Sequence, residues 1–290
     1  MIHLLSAVAA ALVPTVPIGP GVDLPLISDG VSNRTLWIES GGRGLDTALS
    51  YGDADMVNVG EAVRASGLPR DAFFVTSKIP CCPARRFPFP YAHECSGHNA
   101  TADVEHSLRV LGMERVDLML MHWPCDEWED TLKLWRAMEP LVATGKTRAI
   151  GVSNFNASAL NRLLDAASVK PAVNQNGFSI AGHDQTLWGR DDATVVASRA
   201  AGVAYMAYSP LGGWTQVDVL HDPTVLAVAA AHNVSAAQVA LRWVVQQGIA
   251  AVSSARKPEY VQEDLDIFAF NLTADEMSRL AAVHASPIER

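Results

Sequence analysis

Asp117-Leu118-Met119-Leu120-Met121-His122-Trp123 is a short, almost unbroken apolar run that ends on a histidine, and its flanks decide the architecture. Before it, Ala102 to Leu111 carries apolar residues at helical spacing and stops at Gly112. After it, Glu129 to Thr144 is a second helical segment, stopped by Gly145. An apolar run of this length between helical segments reads as a strand buried on both faces of a parallel sheet.

The alternation extends in both directions. Comparable runs occupy Phe73 to Ile79, Thr147 to Ser153, Pro171 to Phe178, Val203 to Ser209 and Ile249 to Ser253, which makes six strands. Further helices are expected at Ser158 to Ala167, Ala193 to Ala201 and Ala236 to Gln247, with Thr101, Asn156 and Ser235 as candidate N-caps. Gly112, Gly145, Gly202 and Gly248 follow helix ends, where a left-handed residue is required. Two earlier strands fit near Leu24 to Ser28 and Leu45 to Ala48, giving eight. Thr15 to Leu26, with Gly19-Pro20-Gly21 at its centre, can form a hairpin that closes a barrel floor. The expected fold is therefore α/β, a single-domain (β/α)8 TIM barrel over residues 14–290, and 290 residues suit a fold that needs about 250. The rival, an open doubly wound sheet, wants Gly-x-Gly-x-x-Gly after its first strand, and Gly41-Gly42-Arg43-Gly44 lacks that spacing.

Composition narrows function. Hydrophobic residues at 49% against 18% charged supply a core and argue against disorder. A net charge of −9 and no basic run interleaved with aromatics argue against a nucleic-acid partner. Leu4 to Val13 is apolar but too short to span a bilayer. Residues 1–13 read either as an apolar extension or as a secretory signal, the latter lacking a preceding Lys or Arg.

Cys81, Cys82 and Cys95 crowd one loop region, and Cys125 follows the next strand, so disulfides and free thiols are both open. Sequons at Asn33, Asn99, Asn156, Asn233 and Asn271 fit secretion but also arise from turn and cap residues. The preferred reading is a cytoplasmic monomer with free thiols and unused sequons; the secretory pathway is the alternative. His93-Glu94-Cys95-x-x-His98 has no recognised zinc-ligand spacing, and no metal is expected.

Barrel active sites are assembled at the carboxyl ends of the strands. Asp46 and Tyr51 lie in Gly44-Leu45-Asp46-Thr47-Ala48-Leu49-Ser50-Tyr51, Lys78 closes the Phe73 run, and His122 closes the Asp117 run. Taken singly, each has a bland reading: a helix cap, a core aromatic, a snorkelling lysine, a satisfied buried imidazole. Together, in this order and spacing, the four motifs resemble the aldo-keto reductase family from about Gly21 to the C-terminus. The resemblance implies reduction of a small carbonyl substrate, aldehyde or ketone, by hydride from NAD(P)H, an oxidoreductase of the alcohol dehydrogenase or carbonyl reductase type. Tyr51 would be the proton donor, its acidity increased by Lys78; Asp46 would pair Lys78, and His122 would orient the carbonyl oxygen.

The resemblance also implies a cofactor site. Ser153, Asn154 and Gln175 would grip the nicotinamide carboxamide, Tyr208 would stack on its ring, and Ser209, Leu211 and Gly212 would bring backbone to the pyrophosphate. Near the adenosine, Ser253, Ser254, Glu263 and Asp264 align with the family's usual contacts, but its phosphate-clasping Lys and Arg are replaced by Ser254 and Tyr260. Arg256, together with Lys257, can substitute, which gives NADPH as the expected cofactor and NADH as the alternative. Gly177 stands where the family often has Glu, which weakens the sixth strand locally. Phe87, Phe89 and Tyr91 in the Pro80 to Asn99 segment, with Trp123, are the expected substrate wall and suggest an apolar or aromatic carbonyl. The competing reading is a catalytically weak cofactor-sensing or regulatory protein on the same barrel.

Overall fold

A computed structural model describes residues 13–85, 98–183, 190–213 and 217–284. Among the described residues ten strands run in order: β1 (Thr15–Gly19), β2 (Val22–Pro25), β3 (Ile27–Asp29), β4 (Gly44–Asp46), β5 (Phe74–Ile79), β6 (Val116–Met121), β7 (Thr147–Ser153), β8 (Val173–Gly177), β9 (Ala204–Tyr208) and β10 (Ala250–Ser253). The last eight close into a parallel barrel in sequence order, with β10 pairing both β3 and β9. This is the (β/α)8 barrel expected, and all eight strands are present. The first is shorter than Leu24 to Ser28: Leu24 belongs to β2, and Ile27 to Asp29 alone join the barrel.

β1 and β2 form the antiparallel hairpin. Its Val16, Ile18, Val22 and Leu24 pack on Phe74, Leu118, Ala149, Val173 and Ala250, which project inward near the amino ends of the barrel strands. The hairpin thereby buries one end of the barrel interior and leaves the carboxyl end as the open mouth. Arg148 on β7 donates to the carbonyl of Gly21 and ties the hairpin turn to the barrel. A larger apolar layer lies between strands and helices, with Trp37, Trp135, Leu163 and Leu241 fully or almost fully buried.

Helix boundaries follow local chemistry. The helix expected from Ala102 begins at Ala100, because Asn99 and not Thr101 is the cap, accepting from Ala102 N at 3.0 Å. Asn156 and Ser235 cap as expected. The segment Glu129 to Thr144 is two helices, Trp128–Met138 and Pro140–Ala143, because Pro140 has no N–H to continue the ladder. Gly112, Gly145, Gly202 and Gly248 all have φ between +65° and +73°, as a left-handed helix stop requires.

The free-thiol expectation is overturned. Cys81 and Cys125 form a disulfide across the rim, with Cα atoms 5.0 Å apart. They meet because β5 and β6 are neighbours in register and each cysteine follows its strand onto the same rim. Cys82 is disulfide-bonded as well. Closing a sequence separation of 44 residues stabilises the fold by about 4 kcal/mol through unfolded-chain entropy. Intact-mass analysis after alkylation of the unreduced, denatured chain should leave Cys81 and Cys125 unmodified, and both should react after reduction. Alkylation of either before reduction would contradict the bridge.

Candidate active site

The four charged and polar residues singled out at strand ends converge at the barrel mouth. Asp46 ends β4, Lys78 is the penultimate residue of β5, and His122 follows β6; a single 3-10 turn, Leu49–Tyr51, presents Tyr51. Lys78 is fully buried. Its ammonium donates to Asp46 Oδ1, to the carbonyl of Thr47 at 3.1 Å and to Tyr51 Oη at 3.4 Å. Asp46 receives a second donor, Gln175 Nε2, at 2.8 Å.

Electrostatics follow from this packing. Burial acts to lower the Lys78 ammonium, but the Asp46 carboxylate and Tyr51 outweigh it and hold the group above its ordinary value. Burial pushes the Tyr51 phenol up, with Lys78 pulling against it, so the phenol rests protonated. The expected acidification by Lys78 is present but smaller than the burial effect. Burial, then Lys78, push His122 well below its ordinary value, so this imidazole is neutral at physiological pH.

Buried charged residues fix the backbone beneath these groups. Arg34, itself fully buried, donates to Asp29 at 2.8 Å, to Asp55 at 3.1 Å and to the carbonyl of Asp46 at 3.1 Å. Thr47 Oγ1 donates to Asp55 at 2.6 Å. Burial pushes the Asp29 carboxyl up to about 7 despite Arg34.

The residues expected to hold a carboxamide lie on the next two strands. Asn154 has φ +61°, a left-handed turn that aims its side chain into the mouth. Its Nδ2 donates to the carbonyl of His122 at 2.8 Å, and its Oδ1 accepts from Tyr208 Oη at 2.8 Å. Ser153 Oγ donates to the carbonyl of Gln175 at 2.7 Å. Gly177 is a regular β8 residue paired with Tyr208, so the sixth strand is intact there. The side-chain space is taken by Arg190, whose Nη2 donates to Tyr208 Oη at 3.2 Å.

A cavity of about 560 Å³ joins these groups. Asp46, Tyr51, His122, Ser153, Asn154 and Gln175 line one part of it. Tyr208, Ser209 and Leu211 line the wall after β9, and Ser253, Ser254 and Arg256 line the far part. Gly212 lies behind that wall at φ +87°, where a Cβ would meet the carbonyl of Val217 at 2.2 Å. Lys78 does not itself line the cavity, but its partners Asp46 and Tyr51 do.

Three expectations are corrected. Trp123 does not line the cavity: it is fully buried, donates to the carbonyl of Cys81 at 2.7 Å and stacks on His122 at 4.5 Å. Glu263 turns to a helix start, accepting from Ser235 Oγ at 2.7 Å. Asp264 is buried beneath the far wall, bonded to Ser253. Phe87, Phe89 and Tyr91 lie outside the described residues, as do His93, Glu94 and Cys95; His98 pairs with Asp103 at 2.8 Å.

Gly30, Val31, Pro210, Val252 and Arg190 also line the cavity, and Ser50 bonds to His122, although the sequence motifs did not single them out. Gly30 directly follows β3, so the rule that sites sit at carboxyl strand ends was signal enough. Arg190 had none, because it enters from a segment far from any strand end.

A parallel barrel with an ion-paired lysine, a tyrosine and a neutral histidine at its mouth defines a barrel enzyme. The chain belongs to the aldo/keto reductase family, whose description it matches over residues 34–285, and is an oxidoreductase. It is 35% identical over 286 residues to morphine 6-dehydrogenase of Pseudomonas putida, covering 92% of this chain and 90% of that one. It is 34% identical to glyoxal reductase of Bacillus subtilis, covering 94% of each. Among solved structures, an aldo-keto reductase of Bombyx mori in complex with NADP superimposes with a TM-score of 0.78 at 26% identity, covering 94% of this chain and 93% of that one.

The buried far wall carries a pH signature. Burial pushes Asp264 up to about 6, with the Ser253 hydrogen bond opposing. Its folded value lies above that of an unfolded carboxyl, so its contribution to stability is full below about pH 4 and is lost as pH rises through about 6. Asp264→Asn should remove up to about 3 kcal/mol of that decline, read as a flatter urea-unfolding free energy between pH 4 and 7. An unchanged pH slope would contradict an uncompensated carboxyl at this position.

Proposed function

We propose that this enzyme reduces aldehyde or ketone carbonyls to alcohols with NADPH, using Tyr51 as the proton donor. The observation that carries the reading is the buried Lys78 ammonium, bonded at once to Asp46 and to the Tyr51 hydroxyl beside His122. The nicotinamide cofactor fits what the cavity offers. Gly30 leaves room that a Cβ would close, standing 2.7 Å from Ser254 Oγ, and the flat ring of Tyr208 lies beside the amide-bearing Asn154 and Gln175. Ser153, Asn154 and Gln175 would hold the carboxamide, Tyr208 the ring, and Ser209, Leu211 and Gly212 the pyrophosphate. Ser253, Ser254 and Arg256 would hold the adenosine end. When bound, the cofactor supplies a hydride to the carbonyl carbon.

Every other task falls to the chain. The carbonyl oxygen gains negative charge as its carbon accepts hydride and needs donors in place beforehand. His122 and the Tyr51 hydroxyl supply them. The Tyr51 proton passes to that oxygen, and the phenolate left behind is stabilised by the Lys78 ammonium. Lys78 holds its position through Asp46, which Gln175 and the Arg34 contact to the Asp46 backbone keep in place. The relatives named for alcohol oxidation and for glyoxal reduction support this chemistry. The proposed assembly is a monomer acting on a small-molecule carbonyl. A cytoplasmic placement goes with a supplied nicotinamide pool, whereas the Cys81–Cys125 bridge favours the secretory alternative. Among the described residues no single helix is long and apolar enough to cross a membrane.

NADPH loss at its absorbance band, across a panel of aldehydes and ketones, tests the reading. Tyr51→Phe should lower kcat/KM by about 10²-fold or more while the NADPH dissociation constant stays within threefold; unchanged turnover would refute the assignment. Arg256 faces both the cavity and the adjoining surface cleft with Val31, Ser32 and Asn33, a position for a 2′-phosphate. Arg256→Ala should weaken NADPH about tenfold and leave NADH unchanged, and tighter binding of NADH than NADPH by the unaltered enzyme would reverse the preference.

A further inference from the structure

Ser50 immediately precedes Tyr51 in the same 3-10 turn, and its Oγ stands 2.9 Å from His122 Nδ1. We propose that Ser50 is a positioning residue that sets the tautomer of His122: it donates its proton to Nδ1, so that the single imidazole proton resides on Nε2, the tautomer that can donate to a carbonyl oxygen. The proposal rests on the carbonyl-reduction reading above for its purpose, though not for its geometry.

His122 is nearly buried and stands beside the Lys78 charge, which makes the neutral ring the resting form. A neutral imidazole has one N–H and one bare nitrogen, and the partner of one nitrogen dictates the role of the other. A carbonyl oxygen, and still more an alkoxide, presents only lone pairs, so the ring helps the reaction in one tautomer alone. The Ser50 hydroxyl selects it. Among the described residues, His122 Nδ1 is the acceptor within hydrogen-bond reach of Ser50 Oγ, so the bond that uses the Ser50 proton runs from serine to histidine. Were Nδ1 protonated instead, the Ser50 oxygen would accept and Nε2 would face a carbonyl with a lone pair.

The ring is also held against turning over. His122 N donates to the carbonyl of Ile79 at 2.8 Å, and its own carbonyl accepts from Asn154. Trp123 stacks on one face at 4.5 Å, anchored by its indole bond to Cys81, while Tyr51 meets the ring edge-on at 5.7 Å. With the backbone and one face fixed, Ser50 completes the orientation from the Nδ1 side. One short turn thus delivers both the phenol and the hydroxyl that tunes the second donor.

Nitrogen NMR of the full-length, cofactor-free protein, labelled at histidine, reads the tautomer directly. The His122 resonances are assigned by their loss in His122→Gln. Between pH 6 and 8 the unaltered protein should show a bare Nδ1 and a protonated Nε2, and Ser50→Ala should show a mixture of tautomers. In turnover, Ser50→Ala should lower kcat about tenfold with the NADPH dissociation constant within twofold, and Ser50→Thr should restore at least half the rate. A proton on Nδ1 in the unaltered protein, or a Ser50→Ala kcat within twofold, overturns the proposal. Should Ser50→Ala fail to fold, the spectrum of the unaltered protein decides alone. Absence of carbonyl reduction by the unaltered enzyme would overturn the functional reading and leave the tautomer assignment to stand or fall on the spectrum.

Discussion

An ammonium with no contact to solvent is the constraint around which the mouth of this barrel is arranged. Lys78 is fully buried, and taking such a charge out of water costs several kcal/mol unless a counter-ion and further acceptors meet it. Asp46 provides the counter-ion, Thr47 an acceptor, and Tyr51 the third contact. Asp46 is itself buried and needs partners of its own, which come from Gln175 across the barrel and from the Arg34 contact at its backbone. Removing one member leaves an uncompensated charge, a loss of about 3–5 kcal/mol. The pair is therefore a demand on the fold, and meeting it places a buried ammonium beside the Tyr51 phenol.

A parallel barrel meets the demand economically because every strand carries its carboxyl end to the same rim. The register pairs Asp46 with Thr76 and Lys78 with Leu120, so side chains two or more residues apart in register still reach one another across adjacent strands. The hairpin packs over the opposite end and leaves the carboxyl end as the mouth. Left-handed backbone at Asn154 and Ser209, immediately after β7 and β9, turns the chain sharply off the rim and points those residues at the cavity. The disulfide between the loops that follow Lys78 and His122 works on the same rim, limiting how far those two strands' ends can separate.

Much of this was legible because it is written in periodicities and strand-end positions. Apolar runs and helix-stopping glycines located seven strands closely and the architecture as a whole. Asp46, Tyr51, Lys78 and His122 were legible because their four contexts together, in order and spacing, resemble the aldo-keto reductase family and fall at or just beyond strand ends, where a barrel assembles its site. The rest depended on three-dimensional facts without a local signal. Trp123 follows His122, but nothing in the run reveals that its ring folds back under His122 to Cys81. Glu263 aligned with an adenosine contact, yet Ser235, distant in sequence, offers it a hydroxyl. Free thiols were preferred from the chemistry of compartments, whereas the bridge is a matter of two neighbouring strands ending together.

Gly177 shows why a departure from a motif is weak ground for doubting an element. A Cβ there would stand 2.8 Å from Arg190 Nε and 3.1 Å from Tyr208 Cε2, so the absence of a side chain and the presence of Arg190 are one fact. Interiors are packed to a fixed density, and a volume surrendered at one position must be taken up from another. Here it is taken up by a guanidinium that reaches Tyr208 Oη, which in turn donates to Asn154. The strand keeps its pairing, the aromatic wall keeps its support, and the polarity of that support changes from what an acidic side chain would give to what a cation gives. A local reading registers only the missing side chain; the compensation lies on a different element, and only the packing around Tyr208 joins the two.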